Sequence, residues 1–177
     1  MPKMKQLTHR LKGSDGAEIA EAALVLPIVF MLLLGIVWFG RAFNIYSTIT
    51  QAAQQGAIVA ARPTCATCTN AFPTASTVAT TVKNVMQASS LDPNQIVSIT
   101  TPPTTTYCGT VTPPCQISSN IAICTQVMLN KPGSSPQPAV CGTTVSFQYP
   151  FKFYLPFTSL NMQQVTLSAQ AQSRMEN

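Results

Sequence analysis

Hydrophobic and polar positions alternate along this chain with three different periods. From Ala22 to Phe39, AALVLPIVFMLLLGIVWF, 18 residues carry no charge. As a helix such a run rises about 27 Å, close to the hydrocarbon thickness of a bilayer. The pattern then becomes amphipathic: through RAFNIYSTITQAAQQGAIVAAR, the residues Phe39, Phe43, Tyr46, Ile49, Ala53, Ala57 and Ala60 recur at three-to-four spacing and predict one shared helix face. Pro63 is expected to stop the helix, which gives a single element of about 40 residues. Pro27 removes one ladder hydrogen bond inside it, so a softened turn is expected there.

A second, shorter helix is predicted from Val78, Val82, Val85 and Met86, starting near Thr74 to Thr77 and closed by Asp92-Pro93. Beyond it the period falls to two. The alternating runs are Val97, Ile99 and Thr101; Ile121, Ile123, Thr125, Val127 and Leu129; Val145, Phe147, Tyr149, Phe151 and Phe153; and Val165, Leu167, Ala169 and Ala171. Four such runs predict a small antiparallel sheet with one face buried against the helices, an α+β arrangement. The aromatics on alternate positions from 147 to 153 read as core rather than as a binding ledge. Two proline-rich loops, Pro102 to Ser119 and Lys131 to Val140, separate the later runs.

Composition changes this picture in one respect. Only 8% of residues are charged and the formal net charge is +5, a balance suited to a chain partly solvated by lipid. Lys3, Lys5, Arg10 and Lys12 supply most of the excess, while Arg41, Arg62, Lys83, Lys131, Lys152 and Arg174 are scattered singly. A phosphate-tracking surface needs clustered cations and aromatic interleaving, so no nucleic-acid partner is expected. Four basic residues before the apolar run, against Arg41 just after it, place the N-terminus in the cytoplasm and the body outside. The run is longer than the apolar core of a secretory signal peptide and continues as helix, so an uncleaved single-pass anchor in the inner membrane is expected. At 177 residues there is room for one compact domain besides it.

The edges of the run carry a more specific pattern. Gly16 is followed by Ala17, Glu18, Ile19, Ala20 and Glu21, and then by the ALVLP start, the apolar run, an FGR step and the A-x-x-GA-x-x-AAR ending. This segment, Gly16 to Arg62, resembles the TadE-like family, associated with Tad (Flp, type IVb) pili. The end of the chain, TTVSFQYPFKFYLPFTSLNMQQVTLSAQAQSRMEN, resembles it more loosely.

The resemblance implies a minor pilin or pseudopilin that supports pilus biogenesis, adhesion and surface colonisation. Its partners would be other pilins or pseudopilins, the Tad secretion machinery and a prepilin peptidase. Cleavage would fall between Gly16 and Ala17, and Glu21 would be the fifth residue of the mature chain, acting in subunit assembly. Many relatives carry an aromatic directly after this glutamate, where this chain has Ala22. The implied organisation is a basic leader at 1–16, a transmembrane and assembly helix at 17–62, and an extracytoplasmic pilin-like head at 63–177. Without the resemblance, Glu18 and Glu21 are carboxylates that favour the positive end of a helix dipole. The chain would then be a stably anchored periplasmic binding module with no pilus role.

Cys65, Cys68, Cys108, Cys115, Cys124 and Cys141 all follow the apolar run, which suits disulfides in an oxidising compartment. Six cysteines leave fifteen connectivities open. One is disfavoured: if 121–129 and 141–149 form a hairpin, Cys124 lies about 17 Å along the strand from the partner of Cys141, too far to bridge. Cys65 and Cys68 form a C-x-x-C, the spacing of thiol oxidoreductases and of half a zinc site. No second C-x-x-C accompanies it, and the single histidine, His9, lies in the basic arm. No metal, cofactor or catalysis is expected, because the body's acids are only Asp92 and Glu176, and no nucleophile, base and orienter set can be assembled.

Overall fold

The computed structural model describes residues 15–63, 72–99, 106–108, 115–130, 140–152 and 164–175. Contacts divide the chain into two units, one up to Arg41 and one from Ala42 onward. The first consists, in its described part, of the N-terminal portion of helix α1 (Asp15–Ala61), with Pro27 inside the helix. Its apolar side chains stay uncovered, and the most apolar 18-residue window is 0% buried. Water does not tolerate such a surface at this length, whereas lipid does.

The second unit holds the rest of α1, helix α2 (Ala75–Ala88), a 3-10 turn (Pro93–Gln95) and four strands: β1 (Cys115–Ser118), β2 (Ile121–Met128), β3 (Cys141–Lys152) and β4 (Gln164–Arg174). The α+β class, the two helices and the four-stranded antiparallel sheet are as the periodicity predicts. Thr74 caps α2, its hydroxyl accepting from the Thr77 N–H at 3.4 Å, and the Asp92 carboxylate accepts from the Asn94 N–H at 3.0 Å to start the 3-10 turn.

The sheet is a meander in the order β1-β2-β3-β4, antiparallel throughout. β3 and β4 pair without interruption from Gly142 opposite Arg174 to Lys152 opposite Gln164. One face, carrying Ile121, Ile123, Val145, Phe147, Tyr149, Ala169 and Ala171, packs on Ile49, Ala53, Ala57 and Ala60 of α1 and on Val78, Val82 and Met86 of α2. Phe147, Tyr149 and Phe151 are buried, which agrees with the core reading; Phe153 lies outside the described residues. Gly56 is where the layers close most tightly. A Cβ built on it would sit 2.6 Å from Val82 Cγ2 and 3.4 Å from Val145 Cγ1, so only glycine lets α2 and β3 approach α1 this closely.

Three details differ from the sequence reading. Of the predicted run at Val97, the described residues form a single bridge, Val97 to Gln148, while Thr101 lies outside them, and the first strand among the described residues is β1. Two consecutive residues with positive φ, Ser119 (51°) and Asn120 (65°), join β1 to β2 in a tight turn of the twist that hairpins favour. Second, β2 and β3 are buried on both faces: Ala122, Cys124, Thr144 and Ser146 lie away from the helices yet are covered. Third, the predicted helix face is buried only from Ile49 onward. Phe39, Phe43 and Tyr46 are 77%, 73% and 47% exposed.

Candidate functional site

The predicted processing and assembly residues fall in the first two turns of α1. Gly16 is exposed, and a Cβ built on it would meet nothing within 4 Å, so its lack of a side chain serves no packing need within the described residues. Glycine at an open helical position costs roughly 1 kcal/mol relative to alanine, so Gly16 weakens the helix locally. Ala17 lies in the same turn. Glu18 and Glu21 are exposed, with Ile19 (71%) between them. Glu21 stands five residues beyond Gly16, a rise of about 7.5 Å, and marks the last charge before the uncharged run. The described geometry is therefore an exposed glycine followed by an exposed carboxylate at the edge of an apolar rod. A carboxylate carried fully into hydrocarbon costs on the order of 2 to 3 kcal/mol, so this one needs a cationic partner or the surface.

The other sequence candidates are the cysteines. Cys65 and Cys68 lie outside the described residues. The remaining four form two disulfides, Cys108–Cys141 with Cα atoms 5.9 Å apart, and Cys115–Cys124 between directly opposed strand positions. Cys124 and Cys141 do not pair with each other, as the hairpin register predicts; Cys141 stands opposite Met128.

The two bonds have a joint architectural result that the spacing did not reveal. The outer edge of β2 is covered in two pieces. β1 lies opposite Ile121 to Cys124, and the stretch 106–108 lies opposite the rest, with the Met128 N–H donating to Thr106 O at 2.7 Å and the Cys108 N–H donating to Gln126 O at 2.8 Å. Each piece is pinned by one disulfide. Between them β2 bulges at Gln126, whose φ is 56°. The turn Ser119-Asn120 is the signal in the sequence that would have found β1, since asparagine tolerates positive φ.

A shallow cavity of about 290 Å³ opens between the start of α2, Phe72 to Ala75, and Gln116, Ile123 and Thr125. None of its lining side chains is ionisable, so it offers no acid–base chemistry. Among the described residues, no group of three or more His, Cys, Asp or Glu side chains converges to hold a metal.

One helix among the described residues, within Glu18–Ala61, is long and apolar enough to cross a membrane. Residues 16–57 match the family model described as TadE-like protein. The match opens on Gly16, takes in Glu21 and the whole uncharged run, and closes at Ala57 in the buried part of α1. No curated protein and no solved structure matches the chain.

Proposed function

We infer that this chain, TadE-like through residues 16–57, is a minor pilin- or pseudopilin-type structural component of a Tad (Flp, type IVb) pilus assembly or secretion system. The observation that carries this reading is the start of the family match at the glycine where the pilin pattern requires processing, with the glutamate at its required distance.

On this reading 1–16 is a cytoplasmic basic leader, 17–62 the membrane-inserted assembly helix, and 63–177 an extracytoplasmic head tied by disulfides. A prepilin peptidase hydrolyses the peptide bond between Gly16 and Ala17. The new α-amine on Ala17, protonated below about pH 7.7, pairs with Glu21 of a neighbouring subunit in an apolar bundle. That pairing offsets the desolvation cost of Glu21 and sets the axial register between subunits. Anchored in the inner membrane with its head outside, the chain supports pilus biogenesis, adhesion and surface colonisation through contacts with other pilins. The role is structural rather than enzymatic.

N-terminal sequencing of the membrane-extracted protein tests the reading. A start at Ala17 is expected. An intact Met1 in pilus-bearing cells would sink it and favour a stably anchored binding module.

A further inference from the structure

The membrane-spanning part of α1 carries an internal mark of where lipid ends. The chain has one tryptophan, Trp38, and Arg41 follows it by one helical turn with its guanidinium carbon 5.7 Å from the centroid of the indole ring. Between Glu21 and Arg41 no charged residue occurs, and those 20 steps of helix rise about 30 Å, the thickness of the hydrocarbon layer. Side chains on a helix lean toward its N-terminus, so the guanidinium lies back over the indole, at the inner margin of this boundary. Both chemistries suit one layer only. Indole prefers the headgroup region, where its N–H finds acceptors and its ring stays out of water. A guanidinium over a ring face is held by cation–π attraction and presents N–H donors in the fork geometry that fits phosphate oxygens. Phe39, exposed beside the pair, adds a further ring at this level.

We propose that Trp38 and Arg41 form a phospholipid headgroup site, in which the guanidinium held over the indole face donates hydrogen bonds to a lipid phosphodiester and fixes the depth of α1 in the leaflet on the Arg41 side. The hydrocarbon layer then lies between Glu21 and the Trp38–Arg41 pair. The exposure of Phe43 and Tyr46 just past the pair follows, since headgroups rather than protein surround them. This inference rests on the membrane placement of α1, which precedes any processing or entry into a pilus.

Because Trp38 is the sole tryptophan, its fluorescence reports depth in the unsubstituted full-length protein. The protein is reconstituted into phosphatidylcholine–phosphatidylglycerol vesicles whose acyl chains carry bromine either close to the glycerol or close to the methyl ends. Quenching by the shallow label is expected to exceed quenching by the deep label about twofold or more, the signature of an interfacial indole. Arg41→Gln is expected to bring that ratio toward one, while Arg41→Lys, which keeps a phosphate-binding cation, retains part of it. Inorganic phosphate added to the protein in uncharged detergent is expected to leave the emission unchanged. Equal or stronger deep quenching, or no response to Arg41→Gln, would overturn the site. A phosphate-induced change would reassign it to free anions. An absence of quenching by either label would instead remove the membrane placement on which it rests.

Discussion

The Thr143 hydroxyl donates to the Ala57 carbonyl at 3.1 Å, joining β3 to α1 across 86 residues of sequence in a fully buried contact. Such a bond contributes about 1 kcal/mol net, and losing the donor leaves the carbonyl's second lone pair without a partner in the core. Thr143→Val keeps the shape and removes the hydroxyl. A loss of roughly 1 to 2 kcal/mol is expected, seen as a melting temperature lower by several degrees in near-ultraviolet circular dichroism of the full-length protein in detergent. An unchanged melting temperature would show that the bond contributes nothing to the union of helix and sheet.

Gly56→Ala sets two effects against each other. Alanine gains about 1 kcal/mol of helix propensity, but its methyl would press on Val82 Cγ2 at 2.6 Å, and a β-branched side chain has little rotameric freedom to withdraw. Overpacking of this kind costs about 1 to 3 kcal/mol, so the single variant is expected to be less stable than the parent. Val82→Ala removes the obstacle. In that background the same change should become neutral or stabilising, a sign reversal that a double-mutant cycle by denaturant titration would detect.

Burial raises the Tyr149 phenol above its usual 10.0, and the Asp92 carboxylate adds to the rise while an Asp92 backbone hydrogen bond opposes it. The phenol also donates to Gln95 Oε1 at 3.4 Å. A folded-state value above the unfolded one means that the native protein holds this proton more tightly. The associated stability is complete below about pH 10 and is lost as pH climbs through the raised value. The stability gap between the parent and Tyr149→Phe should therefore shift in favour of the variant as pH rises above about 10, since lysines titrate alike in both. A gap independent of pH would refute the assignment.

The two disulfides differ in the chain they close. Cys108–Cys141 spans 33 residues and Cys115–Cys124 spans 9, for which loop-closure entropy gives about 3.7 and 2.6 kcal/mol. Replacing the longer pair by serines is expected to destabilise the protein by about 1 kcal/mol more than replacing the shorter pair. Either double variant frees one of the two pieces that cover β2, so concentration-dependent association through that edge should accompany the loss. Equilibrium unfolding and light scattering at two protein concentrations check both expectations.

What the sequence disclosed and what it withheld follow from the range of the forces involved. The uncharged run, the α2 face and the alternation of β2, β3 and β4 are local periodicities, visible without knowing any partner. Cys115 to Ser118 of β1 read as loop in the sequence because four residues are too few to show a period; a turn and a disulfide define them. The role of Gly56 depends on Val82 and Val145, which only the folded arrangement brings near it. Periodicity also placed Phe43 and Tyr46 on the same face as Ile49, but it cannot say where along that face the covering layer begins. The Gly16-to-Glu21 spacing is a linear pattern that stands in the sequence without any fold, and the proposed processing and assembly roles rest on it.

That spacing supports the last prediction. If Glu21 pairs with the α-amine of a neighbouring subunit, its charge matters for assembly and not for cleavage, because the hydrolysed bond lies about 7.5 Å away along the helix. Glu21→Gln keeps size and hydrogen-bonding capacity and removes the charge. The variant is expected to be processed to a start at Ala17 and to unfold like the parent, since the exposed Glu21 lies outside the packed core of the head. Its recovery in sheared surface pili, or in cross-linked complexes with other pilins, should fall by about tenfold or more, consistent with an unpaired amine left in an apolar bundle. Glu21→Asp should recover part of the loss, being charged but shorter by one methylene. Full assembly of the glutamine variant would leave Glu21 as a carboxylate that merely favours the start of the helix.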